Sequence, residues 1–312
     1  GYIERHWWFN DFPRPQFGVE MNLDKEKLKD VNVRLGLAHA LNYDKVIKVQ
    51  FWGDYNRLPG FVDGFGDFVN PDVKPRPFSP QKAREFFAKA GFTEEDGDGI
   101  LKKPDGTRLE FDLSHYAIKT YSDIMSILKT EARSSGVDLI LDGKDPSIVF
   151  TEAMDKKFEL TSVAWSVQPP YFAFYEYFHS RNAYDEQGNL KDKTNNVFAY
   201  NDPQMDKWVE EYRQTSENQL KKELAHKIQA QVHEQCVFVP GWKRDFERVA
   251  CWRWLRWPDT ETVKFCPPVV SYPYEHYSFW IDEEMQEDTR AAIRSGRTFP
   301  EVENVVEIYR KK

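Results

Sequence analysis

Between Leu109 and Gln168 the hydrophobic positions change period repeatedly. Leu109, Phe111 and Leu113 alternate with polar residues, the two-residue repeat of a strand. Thr120 and Asp123 then form a capping pair that opens a helix. Ile124, Ile127 and Leu128 supply its apolar stripe, and Gly136 its C-terminal stop. Residues 137–141 read as a short strand. Asp145 caps a second helix with Pro146 at its first position, carrying Ile148, Val149, Ala153 and Met154. Residues 158–165 read as a third strand, running into an exposed-looking Trp165-x-x-Gln168. Strands joined by helices build a parallel sheet with right-handed crossovers. Ligands of such sheets sit beyond the carboxyl ends of the strands, which makes the 165–168 segment the first candidate site.

The flanks continue the alternation less regularly. Residues 1–17 are aromatic and Pro-containing, with Trp7, Trp8, Phe9, Phe12, Pro13 and Pro15, and residues 17–23 read as a strand. Asp30 caps a helix carrying Val33, Leu37, Ala38 and Leu41, and Asn42 a second through Val46, Ile47 and Val49. Residues 59–77 hold Gly and Pro turns without periodicity, as in a long ordered loop or the edge of a lid. Ser79-Pro80 starts a helix that Gly91 ends. Asp96-Gly97-Asp98-Gly99 and Asp105-Gly106 are hairpin signals around Ile100-Leu101. The acidic turn lacks the bidentate Glu of an EF-hand loop, so a plain turn is expected. Asp202-Pro203 caps a helix through Met205, Trp208, Val209 and Tyr212. Residues 216–235 form a long amphipathic helix and 237–242 a strand. Beyond them Trp252, Trp254, Trp257 and several prolines punctuate a stretch with little periodicity, before a polar helix over 282–295.

The chain has 312 residues, 40% hydrophobic and 30% charged, with 43 basic against 51 acidic residues and a net charge of −8. That is globular composition, and a mildly acidic chain is a poor nucleic-acid binder. No apolar run approaches the roughly 20 residues of a membrane-spanning helix. The 10 Trp, 15 Tyr and 23 Phe fit a large core first and an aromatic-walled cleft second. Cys236, Cys251 and Cys266 are too few for a disulfide framework, and their pairing cannot be read from spacing. Gly1 begins in mid-pattern, as expected of a mature or cut piece. No Gly-x-Ser-x-Gly elbow, His-Glu-x-x-His or phosphate-cradling glycine loop occurs. His233 and Cys236 are three apart on a helix, but without a second pair a structural role outweighs a shared metal. No pair of carboxylates is marked as an acid/base couple, so neither catalysis nor a cofactor is expected.

Six short pieces in order carry a resemblance. They are Glu20-Met21-Asn22 followed by the run from Asp30-Val31-Asn32-Val33-Arg34 to Asn42-Tyr43-Asp44; Ser79-Pro80 through Ala90-Gly91-Phe92; Gly136-Val137-Asp138-Leu139; Phe158-Glu159-Leu160 through Trp165; Asn196 to Tyr200 with Asn201-Asp202-Pro203; and Val239-Pro240. Together they resemble the extracellular solute-binding proteins of peptide-type ABC importers, bacterial solute-binding family 5. Val239-Pro240-Gly241-Trp242 and Arg248-Val249-Ala250-Cys251-Trp252 are most similar to the YejA-like branch, which is linked to import of longer peptides and peptide antibiotics. The resemblance covers only the C-terminal half of the family's length.

It implies an α/β fold: a lobe of the type II periplasmic-binding-protein kind, with a mixed, mostly parallel sheet flanked by helices. Residues 1–18 would be a crossover segment, 19–238 the C-terminal lobe, and 239–312 a segment returning to an N-terminal lobe absent from the chain. Without that lobe the returning segment is expected to expose apolar surface, to pack differently, to dimerise or to be poorly ordered. The implied function is capture of peptides in an interlobe cleft, in the periplasm or outside the cell and with a lipid tether possible in the parent chain, for an ABC permease in the membrane. Ligand-binding candidates are Trp165, Gln168, Glu20, Trp242 and Tyr171. Trp165 would wall the ligand. Many peptide-binding members place an Asp where Gln168 stands, and a neutral amide cannot ion-pair with a peptide's amino terminus. Glu20 is the other candidate for a positive group, against a solvated strand-end carboxylate. Trp242 divides between cleft wall and core, and Tyr171 between cleft mouth and local packing. The alternatives are an oligosaccharide binder of the same fold, or a glycoside-active enzyme, which would need two carboxylates about 5–10 Å apart across a cleft.

Overall fold

The alternation read from Leu109 becomes the strand Glu110–Tyr116, with Phe111, Leu113 and His115 buried on one face. It lies second in a five-stranded sheet ordered Asp138–Lys144, Glu110–Tyr116, Leu160–Ser162, Gly18–Met21, Phe238–Pro240. The first three are parallel; Gly18–Met21 runs against both of its neighbours. Four strands therefore share a direction, giving the mixed, mostly parallel sheet that the resemblance implies, where the pattern alone read a parallel one. The computed structural model describes residues 1–11, 13–165, 170–257 and 279–309. The chain divides into two units, Pro13–Lys243, and Gly1–Phe12 with Arg244–Lys312.

In the larger unit the capping residues act as their positions suggest. Asp30 accepts from Asn32 N, Asn42 from Lys45 N, Ser79 from Lys82 N, Asp145 from Ser147 N, and Asp202 from Gln204 N and Met205 N. One cap differs. The helix Lys119–Ser134 starts after Ile118 with no side-chain cap, and Asp123 bonds Lys119 at 2.7 Å instead of capping with Thr120. An ion pair one turn along the surface wins over a cap that would need Thr120 outside the helix. The other end follows the glycine: Gly136 N–H bonds Arg133 O at 3.0 Å and Val137 N–H bonds Ala132 O at 3.2 Å, a Schellman closure around a left-handed residue with φ +81. A Cβ there would lie 2.5 Å from Leu101 Cγ. Gly136→Ala is therefore expected to cost about 2 kcal/mol in a urea melt; a loss below a few tenths would remove the backbone argument.

The aromatic density resolves mostly into core. Phe61 is met edge-on by Phe172, Tyr177, Phe178, Phe198 and Phe238 at 5.2–5.7 Å. This anchors the 59–77 loop, whose Phe61, Val62 and Phe65 are buried. Asn70 fixes it further, donating its backbone N–H to Gln229 Oε1 and its Nδ2 to the His226 carbonyl on the long helix Asn218–Gln235. The loop is thus a packed wall rather than a free lid edge. The acidic turn is held by Arg108, paired with Asp96, with Asp98 at 3.0 Å and with Glu110 at 3.2 Å. Cys236 closes the long helix in the left-handed region at φ +50, its thiol donating to Arg34 O at 3.4 Å.

The smaller unit holds strands that the pattern did not reveal. Ile3–Asn10 pairs antiparallel with Phe246–Trp252 and parallel with Val302–Tyr309. Its buried side chains are Glu4, His6, Trp8 and Asn10, a largely polar set. Glu4 is paired with Arg256 at 3.2 Å, and His6 stacks on Trp8 at 5.0 Å. The polar helix read over 282–295 is Glu283–Ser295, with Asp282 as its N-cap accepting from Met285 N. Apolar side chains remain exposed here, among them Trp252, Trp280 and Ile281. Cys236 and Cys251 are free thiols, and Cys266 lies outside the described residues.

Candidate functional site

The strand Leu160–Ser162 is too short to carry its partners alone, and pairing resumes beyond it. Glu20 faces Thr161 in the antiparallel ladder, and an isolated bridge sets Gln16 opposite Trp165 in the same register. Even spacing along each strand puts Gln16, Glu20, Thr161 and Trp165 on one face. Trp165 lies just beyond the carboxyl end of the third parallel strand, the position at which ligands of parallel sheets generally bind.

Trp165 does not stand exposed. It is 5% accessible, and its indole Nε1 donates to Glu20 Oε1 at 3.2 Å. The Phe150 and Tyr177 rings pack on it at 5.7 and 6.1 Å. Nor is Glu20 a solvated strand end: its side chain is fully buried in the sheet interior, and Oε2 accepts the Val163 N–H at 3.3 Å. Burial pushes its carboxyl well above the usual carboxylate range, against the opposing pull of the Val163 and Trp165 bonds. Burial likewise pushes the Tyr177 hydroxyl up to about 12. The carboxyl is thus spent on protein donors, and it fixes both the backbone entering residue 165 and the plane of the indole.

Trp242 lies in the core, stacked on Phe17 at 5.0 Å and touching Tyr43 and Phe51. Tyr171 is half exposed, edge-on to Phe68 at 5.2 Å, with the Lys221 ammonium 4.9 Å from its ring centre. Gln168 lies outside the described residues. The structure therefore joins Glu20 to Trp165 and leaves Trp242 and Tyr171 elsewhere. Pattern reading missed Phe150, Tyr177 and Gln16 around the indole. A lone Gln between Pro15 and Phe17 carries no periodic signal, and only its pairing with a residue far along the chain reveals it.

A polar cavity of about 210 Å³ opens elsewhere on the same unit, lined by Lys25, Asp112, Lys144, Glu152 and Glu159 among others. Its Lys144 is neutralised by Asp142 at 2.6 Å and Glu152 at 2.8 Å. Burial lowers His233 to about 4. Among the described residues no three His, Cys, Asp or Glu side chains gather as metal ligands, and no helix is long and apolar enough to cross a membrane.

Residues 11–185 match the family described as bacterial extracellular solute-binding proteins, family 5, middle region. The nickel-binding periplasmic protein of Escherichia coli is 25% identical over 226 residues, 71% of this chain and 41% of that protein. Among solved structures, the oligopeptide-binding protein AppA of Bacillus subtilis in complex with a nonapeptide superposes with a TM-score of 0.74 at 19% identity, over 90% of this chain and 53% of that one. A mannohexaose-bound periplasmic oligopeptide-binding protein of Thermotoga maritima gives 0.67 at 16%, over 80% and 48%. The chain spans about half, or less, of the length of these proteins.

Proposed function

We propose, from the premise that the chain belongs to the bacterial extracellular solute-binding proteins of family 5, that it serves as the substrate-binding component of an ABC importer and takes peptides. It acts as a binder rather than a catalyst, in the periplasm or outside the cell, and hands its ligand to a membrane permease. Residues 19–238 act as the C-terminal lobe, 1–18 as a crossover, and 239–312 as a segment returning to the N-terminal lobe of the whole protein. The observation that carries the reading is the Trp165 indole, held in one orientation by Glu20 at the carboxyl end of a parallel strand. An oriented aromatic wall with neutral surroundings suits an extended chain held by backbone hydrogen bonds, with room for varied side chains.

In this reading Trp165 walls the ligand and Gln168 bonds it, with Tyr171 at the margin. Glu20 and Trp242 contribute through the protein, one by holding the indole and the other by packing. Calorimetric titration with free and N-acetylated oligopeptides tests it. Equal affinity for the two forms is expected, because Gln168 offers no charge to a terminal amine. A loss of roughly tenfold on acetylation would assign the anchoring to an acid instead. Failure of both peptides with binding of mannohexaose would replace peptide by oligosaccharide, a reading supported by the mannohexaose-bound relative. Uptake of a nickel complex alone would align the chain with its nickel-binding relative.

A further inference from the structure

The open polar cavity of about 210 Å³ lies at the far end of the sheet from Trp165. Lys157, Phe158 and Glu159 line it and lead into the strand Leu160–Ser162, whereas Trp165 follows that strand. Asp112, Ser114 and Asp142 also line it, from one face of two paired strands. The protein itself matches most of the charges here. Lys144 pairs with Asp142 at 2.6 Å and Glu152 at 2.8 Å, and Lys157 with Asp155 at 2.9 Å. Glu159 accepts the Asp112 N–H at 3.0 Å and lies 3.6 Å from the Lys27 ammonium. Two charges are left over. Among the described residues, neither the Lys25 ammonium nor the Asp112 carboxylate has a hydrogen bond or an ion pair. Asp112 is exposed and Lys25 partly accessible, so a solute entering the cavity reaches both. The wall between them is not packed for folding alone: Ser114 is 5% accessible, and its Oγ has no hydrogen-bond partner.

We propose that this cavity is a second binding site, which takes a zwitterion of amino-acid size with its carboxylate on Lys25 and its ammonium on Asp112. The charge left over is one of each sign, so a simple anion or cation answers only half of it. A neutral solute forgoes both charge-assisted hydrogen bonds, which are the strong ones. Size narrows the class further. The volume is several times the roughly 30 Å³ of one water and falls below the roughly 300–1,000 Å³ of pockets for drug-sized ligands. The site is independent of peptide capture beside Trp165, because the two positions lie at opposite ends of one strand.

The test is titration of the full chain with glycine, β-alanine and 4-aminobutyrate, followed by backbone amide NMR shifts. The three probes carry the same two charges at increasing separation, and acetate and methylammonium carry one each. At least one zwitterion is expected to give saturable shifts at Lys25, Asp112 and Ser114, while acetate and methylammonium give none at the same concentration. Lys25→Met and Asp112→Asn should each weaken that zwitterion roughly tenfold, the value of one charge-assisted hydrogen bond. Both variants should melt with the wild type, since neither side chain has a partner to lose. If Lys25→Met folds poorly, Lys25→Gln carries the same comparison. No saturable shift from any zwitterion up to about 20 mM overturns the site. Shifts that acetate or methylammonium reproduces overturn the zwitterion class. Binding that neither variant weakens overturns the placement on Lys25 and Asp112. None of these results bears on peptide binding, which the oligopeptide titration decides separately.

Discussion

Glu20→Ala is expected to destabilise the protein by about 3 kcal/mol, because it strands two buried donors and leaves a cavity in the sheet. The donors are Val163 N–H and Trp165 Nε1–H, both turned toward a carboxyl with no solvent access. A urea melt measures the loss, and Trp165 emission should shift as its indole loses its fixed partner. Glu20→Gln keeps an acceptor and separates charge from shape. The folded carboxyl titrates well above the usual range, so the folded state holds its proton over a span in which the unfolded chain has released it. Stability from this group is then complete below the unfolded value, near pH 4.3, and falls as pH rises toward the folded value. The wild type should lose stability across that window, and Glu20→Gln should flatten this part of the profile. A wild-type profile that rises there would mean that the carboxyl is held as an anion.

Arg34→Met is expected to cost about 3 kcal/mol, despite removing a charge that is nearly inaccessible. Among the described residues the guanidinium finds no carboxylate at bonding distance. It donates to three backbone carbonyls, Gln235 O at 2.7 Å, Leu28 O at 2.6 Å and Lys29 O at 2.9 Å, and to Gln235 Oε1 at 3.3 Å. Those carbonyls end the helices Glu26–Lys29 and Asn218–Gln235, where intrahelical donors have run out. Methionine matches the stem and leaves the carbonyls unpaired. Arg34→Lys should recover less than half of the loss, since one ammonium cannot span three acceptors in the guanidinium plane. Thermal and urea denaturation of the three proteins checks this; equal stability of Arg34→Met and wild type would mean that water satisfies the carbonyls.

What could be read along the chain was what the chain decides locally. Asp30, Asn42, Ser79, Asp145 and Asp202 each bond a backbone N–H within three residues, so a short window contains the whole interaction. The Ile3–Asn10 strand defeats the same reading. It buries Glu4, His6 and Asn10 beside Trp8, and Glu4 is stabilised by Arg256, far away in sequence. A hydrophobic period cannot show a face whose burial rests on an ion pair. The site divides in the same way. Trp165 could be located from topology, because the end of a parallel strand is a general binding position. Its burial could not, since Glu20 and Gln16 reach it across the ladder from the opposite end of the unit.

The order of strands in the five-stranded sheet has a consequence for synthesis. Gly18–Met21 leaves the ribosome well before Phe238–Pro240, which covers its outer side and is the last strand of this sheet to be made. Throughout elongation the nascent sheet therefore holds an open edge, and every backbone donor and acceptor along it is free to pair with another chain. The unit cannot close by folding in segments as it is made; closure waits for the final strand. Premature arrest or truncation before residue 240 leaves a polypeptide whose remaining elements are sound but whose sheet invites a neighbour, so yield of the intact protein depends on shielding that edge during translation.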